Sequence, residues 1–254
     1  MTARVRVQGL KVHFGGVRAL DGVDLDVEAG SLVGVVGPNG SGKTTLINAL
    51  TGLVRPTAGS VSVDGVRAGA SAQRLARAGV RRTFQTIRLL PDEDLLTNVA
   101  VGADSGRGLA DGLWRPLRAV RSNRRSLATA AEALERVGLL DLAKERPAGL
   151  PYGHQRKVEL ARALAGSPRV LLLDEPVAGM TGDERRQVGD LLLSLTSDGL
   201  TQVLVEHDLK VVSRVCTHLA AFDHGVLLEE GDPGDVLKSA TVKESYLGVR
   251  HTSA

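Results

Sequence analysis

The stretch "GPNGSGKTT", Gly37 to Thr45, constrains this chain more than any other. It fits G-x-x-x-x-G-K-[ST] from Gly37 to Thr44 and stands between two segments of different period. Before it, "SLVGVVG" is a continuous apolar run of the kind that forms a strand buried on both faces. After it, "TTLINALTGLV" repeats Leu46, Ile47, Leu50 and Leu53 at helical spacing. A strand, a glycine loop and a helix in that order make a cradle for phosphate. Glycines let backbone N–H groups turn inward with no Cβ in the way, and the helix N-terminus adds a favourable dipole. The cradle comprises Gly37, Pro38, Asn39, Gly40, Ser41, Gly42, Lys43, Thr44 and Thr45. Lys43 is expected to bridge the outer phosphates, and the Thr44 hydroxyl to ligate Mg²⁺.

Such a loop needs acids at the same sheet edge, and "VLLLDEP" supplies them. This apolar run predicts a buried strand ending in Asp174, placed to hold Mg²⁺ through water. Glu175, one residue on, is placed to orient or deprotonate an attacking water. "VLVEHD" predicts another parallel strand, whose end carries His207 within reach of a γ-phosphate oxygen. In "RRTFQ", Gln85 stands where the β-rich part gives way to a helical stretch, so its amide can touch metal or water and still move with the helices. A second anion site is predicted at the helix start "GLPYGHQRKVELARAL", where glycines precede a helix N-terminus. One nucleotide does not need two such sites.

The rest of the chain organises around these points. At 254 residues, 43% hydrophobic and 24% charged, it has the composition of a globular protein with one large domain or a core and a lobe. Aromatic residues make up only 2%, so the core must be built from Val, Leu and Ala. Residues 4–36 alternate as strands, and antiparallel β material is expected to about Gly65. Residues 86–166 read as helical and carry the arginine-rich run "WRPLRAVRSNRR" with Trp114. That run is either a solvated helix face or a contact for anionic lipid or acidic partner loops. Strand and helix then alternate again, and a hairpin turns at His224-Gly225 before a last helix. The expected organisation is one domain over 1–254, an α/β core of 1–85 and 167–254 with a helical insertion of 86–166. A single cysteine, Cys216, excludes an internal disulfide and fits a reducing compartment. A net charge of +3 gives no argument for nucleic acid. No apolar run approaches the ~20 residues of a membrane span, and no signal-peptide core opens the sequence. A cytoplasmic location is expected.

With the phosphate loop, Gln85, "LPYGHQ", "LLLDEP" and His207 in this order, the chain resembles throughout the nucleotide-binding subunit of an ABC transporter. The resemblance implies a RecA-like P-loop core, an N-terminal antiparallel β lobe and an inserted helical subdomain. It implies ATP and Mg²⁺ as cofactors, and Phe14 as the aromatic that stacks on adenine. It also implies a head-to-tail pair of nucleotide-binding subunits, in which "LPYGHQ", through Gly153, His154 and Gln155, caps the γ-phosphate held by the partner's loop. The other partners implied are membrane permease subunits and, indirectly, a solute-binding protein, with no nucleic acid. The subunit would then lie on the inner face of the membrane. Pro151 replaces the usual signature serine, Tyr152 the following glycine, and Thr181 an aspartate common in the family. The Tyr-Gly signature, "RRTFQTIRLL" and the ending "LVEHDLKVV" to "YLG" are similar to the subgroup that powers import of branched-chain or other hydrophobic amino acids. Urea or amide import, lipopolysaccharide export and a soluble ABC-type ATPase are the alternatives.

Overall fold

The computed structural model describes residues 4–68, 72–104 and 123–247. At its centre, β3 (Leu32–Val36), β7 (Val170–Asp174) and β8 (Thr201–Val205) are buried at every position. Strands read this way only when both faces of the sheet are covered. They belong to a mixed sheet of order β10-β9-β3-β8-β7-β6, completed by β6 (Val80–Arg82), β9 (His218–Asp223) and β10 (Val226–Gly231). All its pairs are parallel except β9 with β10.

Alternation divides the core in two. Val33, Val35, Val170, Leu172, Val203 and Val205 pack toward the first helix and the second sheet. Leu32, Val36, Leu171, Leu173 and Leu204 point the other way, toward the helices of the opposite layer. The second sheet is antiparallel, of order β2-β1-β4-β5, from β1 (Val5–Phe14), β2 (Val17–Val27), β4 (Ala58–Val63) and β5 (Val66–Ala68). Helix α1 (Lys43–Leu50) lies between the sheets and buries Leu46, Ile47 and Leu50. Leu53 departs from the predicted apolar face. The helix stops at Leu50, and the turn after it leaves Leu53 58% exposed.

After β5 come α2 (Ala72–Arg77) and the short strand β6, neither of them marked by the sequence pattern. The chain then passes through α3 (Leu95–Asp104), α4 (Arg124–Arg136) and α5 (Tyr152–Ala165) before returning to β7. Residues 86–94 hold no helix, so the helical stretch opens with an irregular segment. Asn123 caps α4 by accepting from the Arg125 and Ser126 N–H groups. Arg124 and Arg125 stand exposed on its first turn, whereas Trp114, Arg115, Arg118 and Arg121 lie outside the described residues.

The remaining helices are α6 (Gly182–Ser197), α7 (Leu209–Val215), α8 (Pro233–Val236) and α9 (Ala240–Leu247). Thr181 caps α6 in a reciprocal capping box with Glu184. The threonine that departs from the family's usual aspartate thus has a local task. Among the described residues no helix is long and apolar enough to cross a membrane.

Close approach of α3 to α5 depends on Gly102, where a Cβ would fall 2.0 Å from the Arg162 carbonyl oxygen. Gly102→Ala should therefore cost about 2–3 kcal/mol by forcing the helices apart. The ~1 kcal/mol gained in helix propensity offsets only part of the underlying clash. Urea unfolding measures this; a variant as stable as the parent would show that the helix pair is not locked there.

Candidate active site

The phosphate loop leaves β3 through a passage that only glycine fits. At Gly37 (φ 149°) a Cβ would sit 2.1 Å from the Phe222 carbonyl oxygen on β9. At Gly42 (φ 105°) it would sit 2.6 Å from the Ala19 carbonyl oxygen. Lys43, the first residue of α1, is buried, and its Nζ donates to the carbonyls of Gly37 (2.7 Å) and Pro38 (2.8 Å). Desolvation lowers the lysine pKa, and the charges of Glu175 and Asp174 offset only part of that fall. A buried ammonium held by two neutral carbonyls is a strong partner for an anion. Residues 39–45 line a cleft of about 580 Å³ together with Gln85 and Glu175. Phe14 is 52% exposed and is not among the residues lining this cleft. Its cross-strand partner Val17 is, with Arg18 and Ala19.

Asp174 ends β7 with its side chain buried, and its Oδ2 accepts from Arg82 Nη2 at 2.8 Å. Arg82 Nη1 donates to Asn48 Oδ1 of α1 at 2.6 Å, so the guanidinium ties the acid to the helix that follows the phosphate loop. The Asp174 N–H donates to Thr83 Oγ1 at 3.3 Å. Arg82 and Thr83 are absent from the sequence-based site. The available signal was the arginine pair in "RRTFQ", since neighbouring strand residues face opposite ways.

Glu175 has φ 48°, a left-handed conformation that a glutamate adopts only under constraint. Its N–H donates to the Val205 carbonyl at 2.9 Å, which anchors the turn to the end of β8. One carboxylate oxygen is hydrogen-bonded, and the other has a histidine nearby. Gln85 Nε2 donates to Oε2 at 3.2 Å, and His207 Nδ1 lies 3.8 Å from Oε1. The His207 side chain is 62% exposed and so faces outward from the sheet edge.

Behind it, Glu206 is fully buried and accepts from the N–H of Val177 (3.2 Å) and of His207 (3.1 Å). Burial raises the Glu206 pKa, and these backbone donors offset only part of that rise. This carboxylate joins the loop after Glu175 to the loop that carries His207.

The predicted second anion site lies apart from this cleft. Pro151 stands at the N-cap of α5 with no side-chain bond to offer, and the N–H groups of His154 and Gln155 donate to its carbonyl. Gly153 is packed against Glu184, whose Oε1 would be 2.1 Å from a Cβ there. Neither Gly153 nor His154 nor Gln155 is among the residues lining the phosphate-loop cleft.

What the geometry defines first is a class: an α/β P-loop fold built around a nucleotide's phosphates. Comparison with known proteins narrows it. The profile of the ABC transporter family matches residues 20–178. The chain is 37% identical over 248 residues to the high-affinity branched-chain amino acid transport ATP-binding protein BraF of Pseudomonas aeruginosa, covering 96% of this chain and 97% of that one. It superposes on a nucleotide-free ATP-binding cassette from an ABC transporter with a TM-score of 0.86 at 29% identity, covering 96% of this chain and 98% of that one. A dimeric bacterial ABC transporter cassette superposes with a TM-score of 0.77 at 27% identity, covering 90% of this chain and 98% of that one. The chain belongs to the ABC transporter family, and it is an ATP-binding and ATP-hydrolysing subunit of that kind.

The Arg82–Asp174 pair gives a stability prediction. Arg82→Met leaves a buried carboxylate without its cation, which should cost about 3–5 kcal/mol. Melting should fall by roughly 10 °C for a chain of this size. A melting temperature equal to the parent's would show that Asp174 does not rely on Arg82.

Proposed function

We propose that this subunit hydrolyses ATP to power a membrane importer for branched-chain or other hydrophobic amino acids, and that it works as one of a pair. The observation that carries the hydrolytic part is Glu175, held at the edge of the phosphate-loop cleft with Gln85 donating to one carboxylate oxygen and His207 3.8 Å from the other. The substrate class rests on the likeness to BraF along nearly the whole of both chains.

In this reading Lys43 exchanges its two loop carbonyls for the outer phosphates, and the loop N–H groups take the rest of the charge. The residues fit a magnesium ion. Thr44 supplies a hydroxyl, Asp174 a carboxylate and Gln85 an amide oxygen, all hard donors of the kind that hold Mg²⁺ together with substrate phosphates. When bound, the ion would neutralise phosphate charge and make the terminal phosphorus easier to attack. Glu175 accepts the proton of the attacking water. Gln85 fixes the rotamer of that carboxylate, and His207, turned outward, meets a γ-phosphate oxygen. Phe14, across the hairpin from the lining residue Val17, stacks on adenine.

Gly153, His154 and Gln155 serve a different nucleotide, the one held by a second nucleotide-binding subunit; their separation from their own chain's cleft supports this. Permease subunits hold the pair at the inner face of the membrane, and a solute-binding protein is engaged only through them. The division into a core of 1–85 and 167–254 and an insertion of 86–166 is part of the same proposal.

Glu175→Gln tests the reading. It should bind ATP with unchanged affinity by calorimetry while turnover falls by roughly 10²–10⁴-fold, the range for a lost general base. A variant with near-parental turnover would remove Glu175 from the role.

A further inference from the structure

Gln85 is held from behind by a residue of another element. Arg156, on the second turn of α5, is 5% exposed. Its Nη1 donates to the Phe84 carbonyl at 2.7 Å and its Nη2 to the Gln85 carbonyl. Its Nε donates to Tyr152 Oη at 3.0 Å, and the guanidinium lies over the Tyr152 ring, 5.3 Å from its centre. All three guanidinium nitrogens are engaged.

The same helix grips the segment again further on. Glu159 Oε1 accepts from the Arg88 N–H at 2.8 Å, and Arg162 Nη1 donates to the Arg88 carbonyl at 2.7 Å. The Tyr152 ring reaches the other side of the site, for a Cβ at Gly179 would fall 2.9 Å from it. Gly179 follows Glu175 in the loop after β7. Tyr152 and Arg156 therefore touch both approaches to Glu175: the Gln85 backbone on one side and the Glu175 loop on the other.

We propose that Arg156 is a positioning residue for Gln85, setting where its amide meets Glu175, and that Tyr152 completes the link from the first turn of α5 to that contact. A planar fork that spans two successive carbonyls fixes the peptide between them, which a point donor cannot do. The inference rests on the proposed role of Gln85 in hydrolysis.

A double-mutant cycle on the full chain tests it, with steady-state ATPase read as kcat and KM. Arg156→Lys keeps the charge but loses the fork; it should lower kcat about 10-fold with KM for ATP within about 2-fold. Tyr152→Phe removes only the acceptor at an exposed position, so it should fold normally and lower kcat about 2- to 3-fold. In a Gln85→Ala background both losses should vanish, because the residue they act through is gone. Equal losses in both backgrounds, or parental kcat in Arg156→Lys and Tyr152→Phe beside an impaired Gln85→Ala, would overturn the positioning role alone. Parental kcat in Gln85→Ala itself would overturn the reading of Gln85, and this inference with it.

Discussion

Everything in this molecule depends on the level, parallel register of β3, β8 and β7. Val35 pairs with Val205, and Val205 pairs with Asp174, so the three strands end within one residue of a common row. The loops that follow them carry the phosphate cradle, His207 and Glu175, and they emerge at the same height on the same edge. A slip of one residue in β7 would turn Asp174 toward the opposite core and bring Leu173 to the site. Two buried cores with alternating apolar residues prevent that slip, since every strand residue has an assigned side. Packing of Val and Leu thus fixes the position of the acids.

Charge placement follows from this frame. Ionisable groups sit out of water at the sheet edge, and fixed polar groups meet them. Lys43 has two loop carbonyls, Asp174 has Arg82, and Glu206 has backbone N–H groups from two loops. Of these, only Lys43 is held by neutral acceptors that a phosphate can replace with gain. The polar groups that hold Asp174 and Glu206 work differently: they tie neighbouring loops to one another, so the acids and His207 stay in place relative to the phosphate cradle. Gln85 is tied in the same way from α5.

Much of this was legible in the sequence because it is local. The phosphate loop, the strand ending in Asp174 and Glu175, and the strand before His207 are each written in a run of apolar residues followed by the chemistry. The alternation from Val5 to Val27 likewise gave β1 and β2. What was missed is written nowhere near its partner. Strand β6 is three residues long and exists through its pairing with β7, 90 residues away in sequence at Val80 and Val170. Arg82 meets Asp174 across the same gap, and Arg156 meets Phe84 and Gln85 across a similar one. Leu53 was misassigned because periodicity does not mark where a helix stops. Thr181 has a role that a motif comparison hides, as the cap of α6.

The central claim is that the two anion sites of one chain serve two nucleotides. Mixing two impaired chains tests it most directly. Lys43→Ala disables the phosphate loop. Pro151→Asp sets a carboxylate where the partner's γ-phosphate would come, at an exposed N-cap position that aspartate suits. Each chain alone should release phosphate from ATP at background rate. A mixture contains pairs in which an intact loop from one chain meets an intact α5 N-terminus from the other, so ATPase activity should return well above both parents. Activity that stays at background, in a mixture shown by cross-linking to contain mixed pairs, would contradict the account.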